Sequence, residues 1–194
     1  MANTSFNIVD GVGKIYYALL DPKTEEYQAV KLFSDMVIEF GMTPAQERKP
    51  VHGSNREITQ LKGLLTGAVT MTIQSIASDV KAECFGLEVA NEGGTIDKGA
   101  TPPYIALMVE KSLDHGEMEY LTLYRGQLTN IGDKAKTKEN STPEAQPIEI
   151  SGNYSQLSDG LFKWAVRSTD TGFNSETFAT NWGKKVIKPT KKSQ

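Results

Sequence analysis

The sequence predicts a mainly β fold (β+α): an antiparallel β-sandwich or partial barrel with one or two short flanking helices and long polar loops. Three observations support this prediction. Seven segments have the apolar patterning of β-strands, two short segments have helical periodicity, and two long polar stretches interrupt the strands. A chain of 194 residues is long enough to bury one core, and we expect a single β domain over residues 1–183.

In the first half of the chain, the predicted strands are Lys14–Leu20, Asp35–Phe40 and Thr66–Gln74. Lys14–Leu20 is apolar on both alternations, which is typical of a strand covered on both faces. In Thr66–Gln74, apolar and polar residues alternate strictly. We therefore expect one face of that strand to lie in the core and the other to meet water or a polar interface.

The second half of the chain contains four further predicted strands. These are Tyr104–Val109, Tyr120–Leu128, a strand that includes Ile148 and Ile150, and Phe162–Thr169. Tyr104–Val109 is again apolar on both faces, as expected of a strand covered on both sides. Together with the few helix signals, these strands predict an antiparallel β architecture with one or two helices that cover a sheet.

The first predicted helix has a single apolar stripe, with Ser75 or Ser78 as its N-cap and Gly86 near its end. The members of the stripe are Ile76, Val80, Cys84 and Leu87. We expect such a short helix to cover one face of the sheet.

A second short helix is predicted near the end of the domain. Asn174 or Ser175 can cap it, and Phe178 and Trp182 are four residues apart, so they share a face. Gly183 is placed to end the helix.

Two long polar segments, Gly41–Leu65 and Gly132–Glu144, do not fit a small β-sandwich. Unstructured loops longer than about 12–15 residues are uncommon and are usually functional or disordered. We predict that both segments contact neighbouring subunits, with disordered loops as the alternative. The candidate interface residues are Pro44, Arg48, Lys49, Pro50, His52, Asn55 and Arg56 in the first segment, Lys134, Lys136 and Lys138 in the second, and Tyr16 in the two-faced strand Lys14–Leu20.

Charge is distributed unevenly along the chain. The segment 184–194 contains five lysines and no acidic residue, and without it the body has 16 basic and 24 acidic residues, a net charge of −8. Such a body should repel nucleic acid, because phosphate binding depends on lysine and arginine. We expect the Lys-rich terminus to be a flexible tail, with an arm for nucleic acid or for an acidic partner as the alternative. The sequence shows neither a signal peptide nor a membrane span, so synthesis in a cytoplasm is expected.

The residues that usually carry chemistry are sparse. His52 and His115 have no second His or Cys at metal-ligand spacing, and Cys84 lies on the apolar stripe of a helix, where a thiol is usually inert. Gly11–Lys14 lacks the spacing of a phosphate-binding loop. Asp170–Gly172 matches the tripeptide of aspartic proteases, but that chemistry needs two carboxylates, and a turn explains the motif better. We therefore expect no enzyme, no metal and no cofactor.

The order of several short motifs resembles the major tail proteins of phages with long, non-contractile tails, which are tail tube subunits. The motifs that carry the resemblance are Gly11–Leu19, Thr101–Leu107, Leu123–Gln127, Ile148–Tyr154, Asp170–Gly172 and Asn181–Trp182. They follow the family order over residues 11–183, nearly the whole chain.

The resemblance implies a β fold of the tail tube type, a ring of six copies, and rings that stack into a tube around a DNA channel. It further implies a place in the virion, contacts with tape-measure, tail tip and tail terminator proteins, and passage of DNA without specific binding. Gly41–Leu65 would then serve ring stacking, and acidic residues would line the channel. The alternatives are a monomeric or small-oligomer β-sandwich binding or decoration module, and a related bacterial secretion-tube subunit.

Overall fold

Twelve β-strands and two helices form the part of the chain that the computed structural model describes, which is residues 8–54, 56–132 and 145–190. The strands are β1 Val9–Leu19, β2 Lys31–Ser34, β3 Val37–Ala45, β4 Arg48–Gly53, β5 Arg56–Lys62, β6 Thr66–Ile73, β7 Glu88–Val89, β8 Thr95–Ile96, β9 Ile105–Leu113, β10 Met118–Ile131, β11 Ile148–Ser155 and β12 Lys163–Arg167. The helices are α1 Ser78–Phe85 and α2 Ser175–Asn181. The predicted mainly β class with short helices is confirmed.

Eight strands form one antiparallel sheet in the order β2-β1-β9-β10-β11-β6-β3, with β12 also paired to β10. All seven predicted strands lie in this sheet. The sheet curls so that β1 and β3 approach each other, but these two strands do not pair, and the sheet stays open. The remaining strands form two hairpins, β4–β5 and β7–β8.

The long strand β10 joins two layers of the molecule. Residues 118–123 pair with β9 and β12, whereas residues 125–131 pair with β11, and the register shifts between Leu123 and Gly126. We call β2, β1, β9, β12 and the first part of β10 the helix-covered layer. We call β3, β6, β11 and the second part of β10 the open layer.

The main core lies on the inner side of the curled sheet, where both layers contribute large apolar side chains. Its fully buried members include Ile15, Tyr17, Val69, Ile73, Ile105, Leu107, Val109, Leu123, Leu128 and Tyr154. Burying each such side chain stabilises the fold by about 1.5–3 kcal/mol before conformational entropy is counted. Helix α1 adds Cys84 and Phe85 to this core, as its apolar stripe predicts.

The helix ends agree with the predictions in part. Helix α1 has Ala77 as its N-cap with no side-chain hydrogen bond, so the predicted serine cap is wrong. Gly86 ends α1 as expected, with φ of 69° and the Leu87 N–H bonded to the Ala82 carbonyl oxygen at 2.8 Å. Helix α2 begins directly after Asn174, whose carbonyl oxygen accepts a hydrogen bond from the Phe178 N–H. Gly183, with φ of 72°, follows its end as predicted.

The prediction of a long loop over Gly41–Leu65 is wrong. The segment contains the end of β3, the hairpin β4–β5 and the approach to β6. Every residue of β5 is exposed, so neither hairpin strand has a buried face that would produce an apolar alternation in the sequence. The other predicted loop, Gly132–Glu144, lies outside the described residues from position 133 onward.

Candidate assembly surface

The outer face of the open layer is polar and has no helix over it. On β6, Val69, Met71 and Ile73 point into the core, so Thr70 and Thr72 point outward. The strand register places further polar side chains beside these threonines on both neighbouring strands. They are Glu39 and Thr43 on β3, and Glu149, Ser151 and Asn153 on β11.

Two exposed carboxylates lie on this face, and its one described cation is Arg125 at the start of the β10 part. Glu39 and Glu149 both pair in register with Thr72, from opposite sides, and both are exposed. The three strands β3, β6 and β11 contain no lysine or arginine. A shallow recess of about 480 Å³ lies over Glu39, Thr72 and Glu149. The face therefore presents small hydroxyl and amide side chains with two carboxylates, and no described cation lines the recess.

The open layer has a free strand edge at each side. Strand β3 pairs only with β6, which leaves its other edge without a neighbour among the described strands. On the opposite side, β10 pairs with β9 only as far as Gly126, so residues 127–131 have β11 on one edge alone. Unpaired edges of this length bind other strands unless they are blocked.

The hairpin β4–β5 leaves the open layer at the end of β3, and its strands contact mainly each other. We call residues 48–62 the hairpin arm. It carries four basic residues and one acidic residue, and Ile58 and Leu61 are 65% and 59% exposed. An isolated two-stranded hairpin is at best marginally stable in water. The arm thus has the composition of a contact surface.

Five of the seven predicted interface residues that the structure describes lie on this arm. Pro44 lies near the end of the edge strand β3, where a proline is tolerated. Arg48, Lys49, Pro50 and His52 lie on β4 and Arg56 begins β5, whereas Asn55 is outside the described residues. Lys134, Lys136 and Lys138 also lie outside them, so their role stays a prediction.

Tyr16 lies far from the arm in the fold, on the outer face of the helix-covered layer. It is half-buried beside Glu110, Tyr120 and Trp182, and burial followed by the charge of Glu110 raises the pKa of its phenol. The two-faced pattern of Lys14–Leu20 is explained within the chain, because Ile15 and Tyr17 face the core whereas Tyr16 contacts the helix side.

Helix α2 covers that layer through an aromatic cluster. The Tyr120 ring contacts the rings of Phe173, Phe178 and Trp182 at centroid distances of 4.8 to 6.0 Å. The Trp182 Nε1–H donates a hydrogen bond to a carboxylate oxygen of Glu110 at 2.9 Å. The outer face of the helix-covered layer is therefore covered by the chain itself, whereas the outer face of the open layer is not.

The first part of the Lys-rich terminus runs along the same side of the molecule. The Tyr124 hydroxyl donates a hydrogen bond to the Ile187 carbonyl oxygen at 2.8 Å, and Val186 packs against the cluster of Leu20, Tyr124 and Leu157. The Lys188 ammonium lies 5.4 Å from the centroid of the Tyr27 ring. Residues 191–194 lie outside the described part of the chain.

The residues considered for chemistry are dispersed. Cys84 is fully buried, and burial raises the pKa of its thiol. Asp170 lies in the predicted turn, where its carboxylate accepts a hydrogen bond from the Arg167 N–H at 2.9 Å. His52 is on the hairpin arm and His115 is in an exposed turn with φ of 62°. Among the described residues, no three metal-ligating side chains cluster.

Compared with known proteins, the chain matches no family model and no curated protein. Neither helix in the described ranges has the length and apolar character needed to cross a membrane.

Proposed function

We propose that the chain is a structural subunit that assembles with copies of itself into rings, which stack into the tail tube of a phage with a long, non-contractile tail. The observation that carries the proposal is the open layer, with a polar outer face between two free strand edges and no lysine or arginine on β3, β6 or β11. The same proposal places the protein in the virion. Its expected partners there are the tape-measure, tail tip and tail terminator proteins.

The two free edges support closure of several copies into one barrel. The open layer has four antiparallel strands in the order β10-β11-β6-β3, so β10 and β3 run in opposite directions. When copies stand side by side in one orientation, β3 of one copy therefore meets β10 of the next as an antiparallel neighbour. Ring closure satisfies both edges at once. Six copies would give roughly 24 strands, more than the 16–18 that already enclose an aqueous channel in porins.

The polar face of the open layer is suited to line such a channel. Small hydroxyl and amide side chains carry no positive charge and no ring for base stacking, and the carboxylates of Glu39 and Glu149 repel phosphates. DNA would therefore pass without being held. The opposite layer, covered by α2, would form the outside of the tube.

Self-assembly is the first test. We expect the purified protein, concentrated and aged, to form hollow tubes or rings of uniform diameter in negative-stain electron micrographs. Sedimentation velocity should show a matching shift from monomer to large species. A protein that stays monomeric at every concentration, and that instead binds a glycan or a capsid surface, would contradict the proposal and favour a binding module.

Reversing the charge of the channel face should make the tube retain DNA. In Glu149→Lys, we expect assembled tubes to bind short duplex DNA at least about tenfold more tightly at low salt, because each new cation near the lumen pairs with phosphates. In a phage, the same change should slow genome release. The matched control is Glu88→Lys, since Glu88 lies on the separate hairpin β7–β8. Equal DNA retention by wild type, control and variant would contradict the lumen assignment.

A further inference from the structure

The start of β3 carries a small apolar patch between acidic residues. Met36 and Ile38 are 56% and 49% exposed, and Asp35 and Glu39 beside them are exposed as well. Ile38 is the extra residue of a β-bulge, because Val37 pairs with Ile73 and Glu39 already pairs with Thr72. We call Asp35, Met36, Ile38 and Glu39 the acidic patch.

The hairpin arm combines exposed apolar residues with basic residues, whereas the acidic patch combines them with acidic ones. Ile58 is 65% exposed and lies between Arg56 and Lys62 on β5, and Arg48 pairs directly with Lys62 across the hairpin. The arm has a net charge of +3. Without the arm and the segment 184–194, the chain has 12 basic and 23 acidic residues, a net charge of −11. An acidic partner of the arm is therefore available on a second copy.

The acidic patch and the arm lie at opposite ends of the same strand. Strand β3 begins at the patch and ends at Ala45, and β4 starts at Arg48 after a short connection. At about 3.3 Å per residue, β3 is roughly 30 Å long and each strand of the arm roughly 20 Å. Copies stacked in one orientation would place the arm of one copy against the patch end of the next.

We infer that the arm of one copy docks its Ile58 and flanking cations on the acidic patch of a second copy. The inference rests on the proposed function, because it names the surface that receives the arm when rings stack. Apolar side chains form the centre of the contact, and opposite charges surround them, as is usual in protein interfaces. The contact joins two different surfaces, so it repeats without closing and gives the stack one direction.

Cysteine crosslinking tests whether the two surfaces meet. In tubes of Met36→Cys with Ile58→Cys, a short bismaleimide should produce a ladder of covalent multimers on a denaturing gel. The native Cys84 is fully buried and should not react. The control pair is Ile58→Cys with Val89→Cys, because Val89 is 66% exposed but lies on the hairpin β7–β8. A ladder no stronger than that of the control would overturn the inference.

A charge exchange tests the pairing in a second way. Arg56→Glu and Asp35→Lys should each raise the protein concentration needed for tubes by roughly tenfold, since each places like charges together. The chain with both changes should recover assembly to near the wild-type concentration. Single variants that assemble like wild type, or a double variant no better than the worse single one, would overturn the inference. Wild type that forms no tubes at all would instead contradict the proposed function itself.

Discussion

Gly126→Ala should lower the free energy of unfolding of the subunit by about 3 kcal/mol. Gly126 lies where β10 passes from one layer to the other, opposite Tyr154 of β11. A Cβ atom at this position would lie 2.4 Å from carbon atoms of the Tyr154 ring. That ring is 1% exposed and packed in the main core, so it cannot move aside without displacing its neighbours.

Urea denaturation of the unassembled subunit at neutral pH measures this effect. The matched control is Gly63→Ala, because a Cβ at Gly63 would meet Glu47 at an ordinary contact distance of 3.5 Å. That variant should differ from wild type by less than about 0.5 kcal/mol. If both alanine variants unfold at the same urea concentration, the close packing of Tyr154 on β10 is not a source of stability.

The sequence predicts a strand well where the strand separates two environments. Thr66–Gln74 alternates because one face of β6 lies in the core and the other is open to solvent. Lys14–Leu20 is apolar on both alternations because α2 and its aromatic cluster cover the face that the core does not. In both segments the surroundings of the folded strand are reflected in the periodicity of its apolar residues.

The sequence of the hairpin arm has no such apolar periodicity. Strand β5 is exposed on both faces and β4 has no buried residue among those described, so hydrophobic periodicity does not distinguish these strands from a polar loop. Pro50 in β4 further argues against a strand, although an arm without a neighbouring sheet tolerates a residue that lacks an N–H. A pair of strands without a buried face is difficult to predict from local patterns, for this reason.

Sequence reasoning alone does not identify the pair of carboxylates on the outer face of the open layer. Glu39 and Glu149 are far apart in the chain and become neighbours only because both strands pair with β6. A signal exists, since each glutamate stands between two apolar residues, as a residue on the outer face of a half-buried strand does. The pairing that unites them depends on the tertiary order of strands, which no local pattern specifies.

Glu119 is held by two cations in the helix-covered layer. Its carboxylate accepts hydrogen bonds from Lys111 Nζ at 3.0 Å and Arg167 Nε at 2.8 Å, and the residue is 9% exposed. Burial alone would raise the pKa of this carboxyl, but the hydrogen bonds and charges of Arg167 and Lys111 outweigh it and hold the pKa below the usual glutamate value. The ionised form is therefore stabilised by folding.

Replacing Glu119 by glutamine should remove this stabilisation at neutral pH. Two partly exposed cations would lose their counter-charge, and we expect a loss of about 2 kcal/mol, less than for a fully buried pair because water screens both cations. Since the folded pKa lies below the unfolded one, wild type has this contribution above the unfolded value and loses it as the pH falls through the folded value. Urea denaturation between about pH 7 and pH 3 should show the difference between wild type and variant shrink on acidification.

The matched control for Glu119 is the exposed ion pair of Glu88 and Lys98, whose atoms are 2.6 Å apart. Because both side chains are more than half exposed, Glu88→Gln should change stability by less than about 0.5 kcal/mol at any pH. A Glu119→Gln variant whose deficit stays constant from neutral to acidic pH has lost packing or hydrogen bonding and not a charge interaction. A deficit that shrinks on acidification identifies Glu119 as the ionised group that joins β9, β10 and β12.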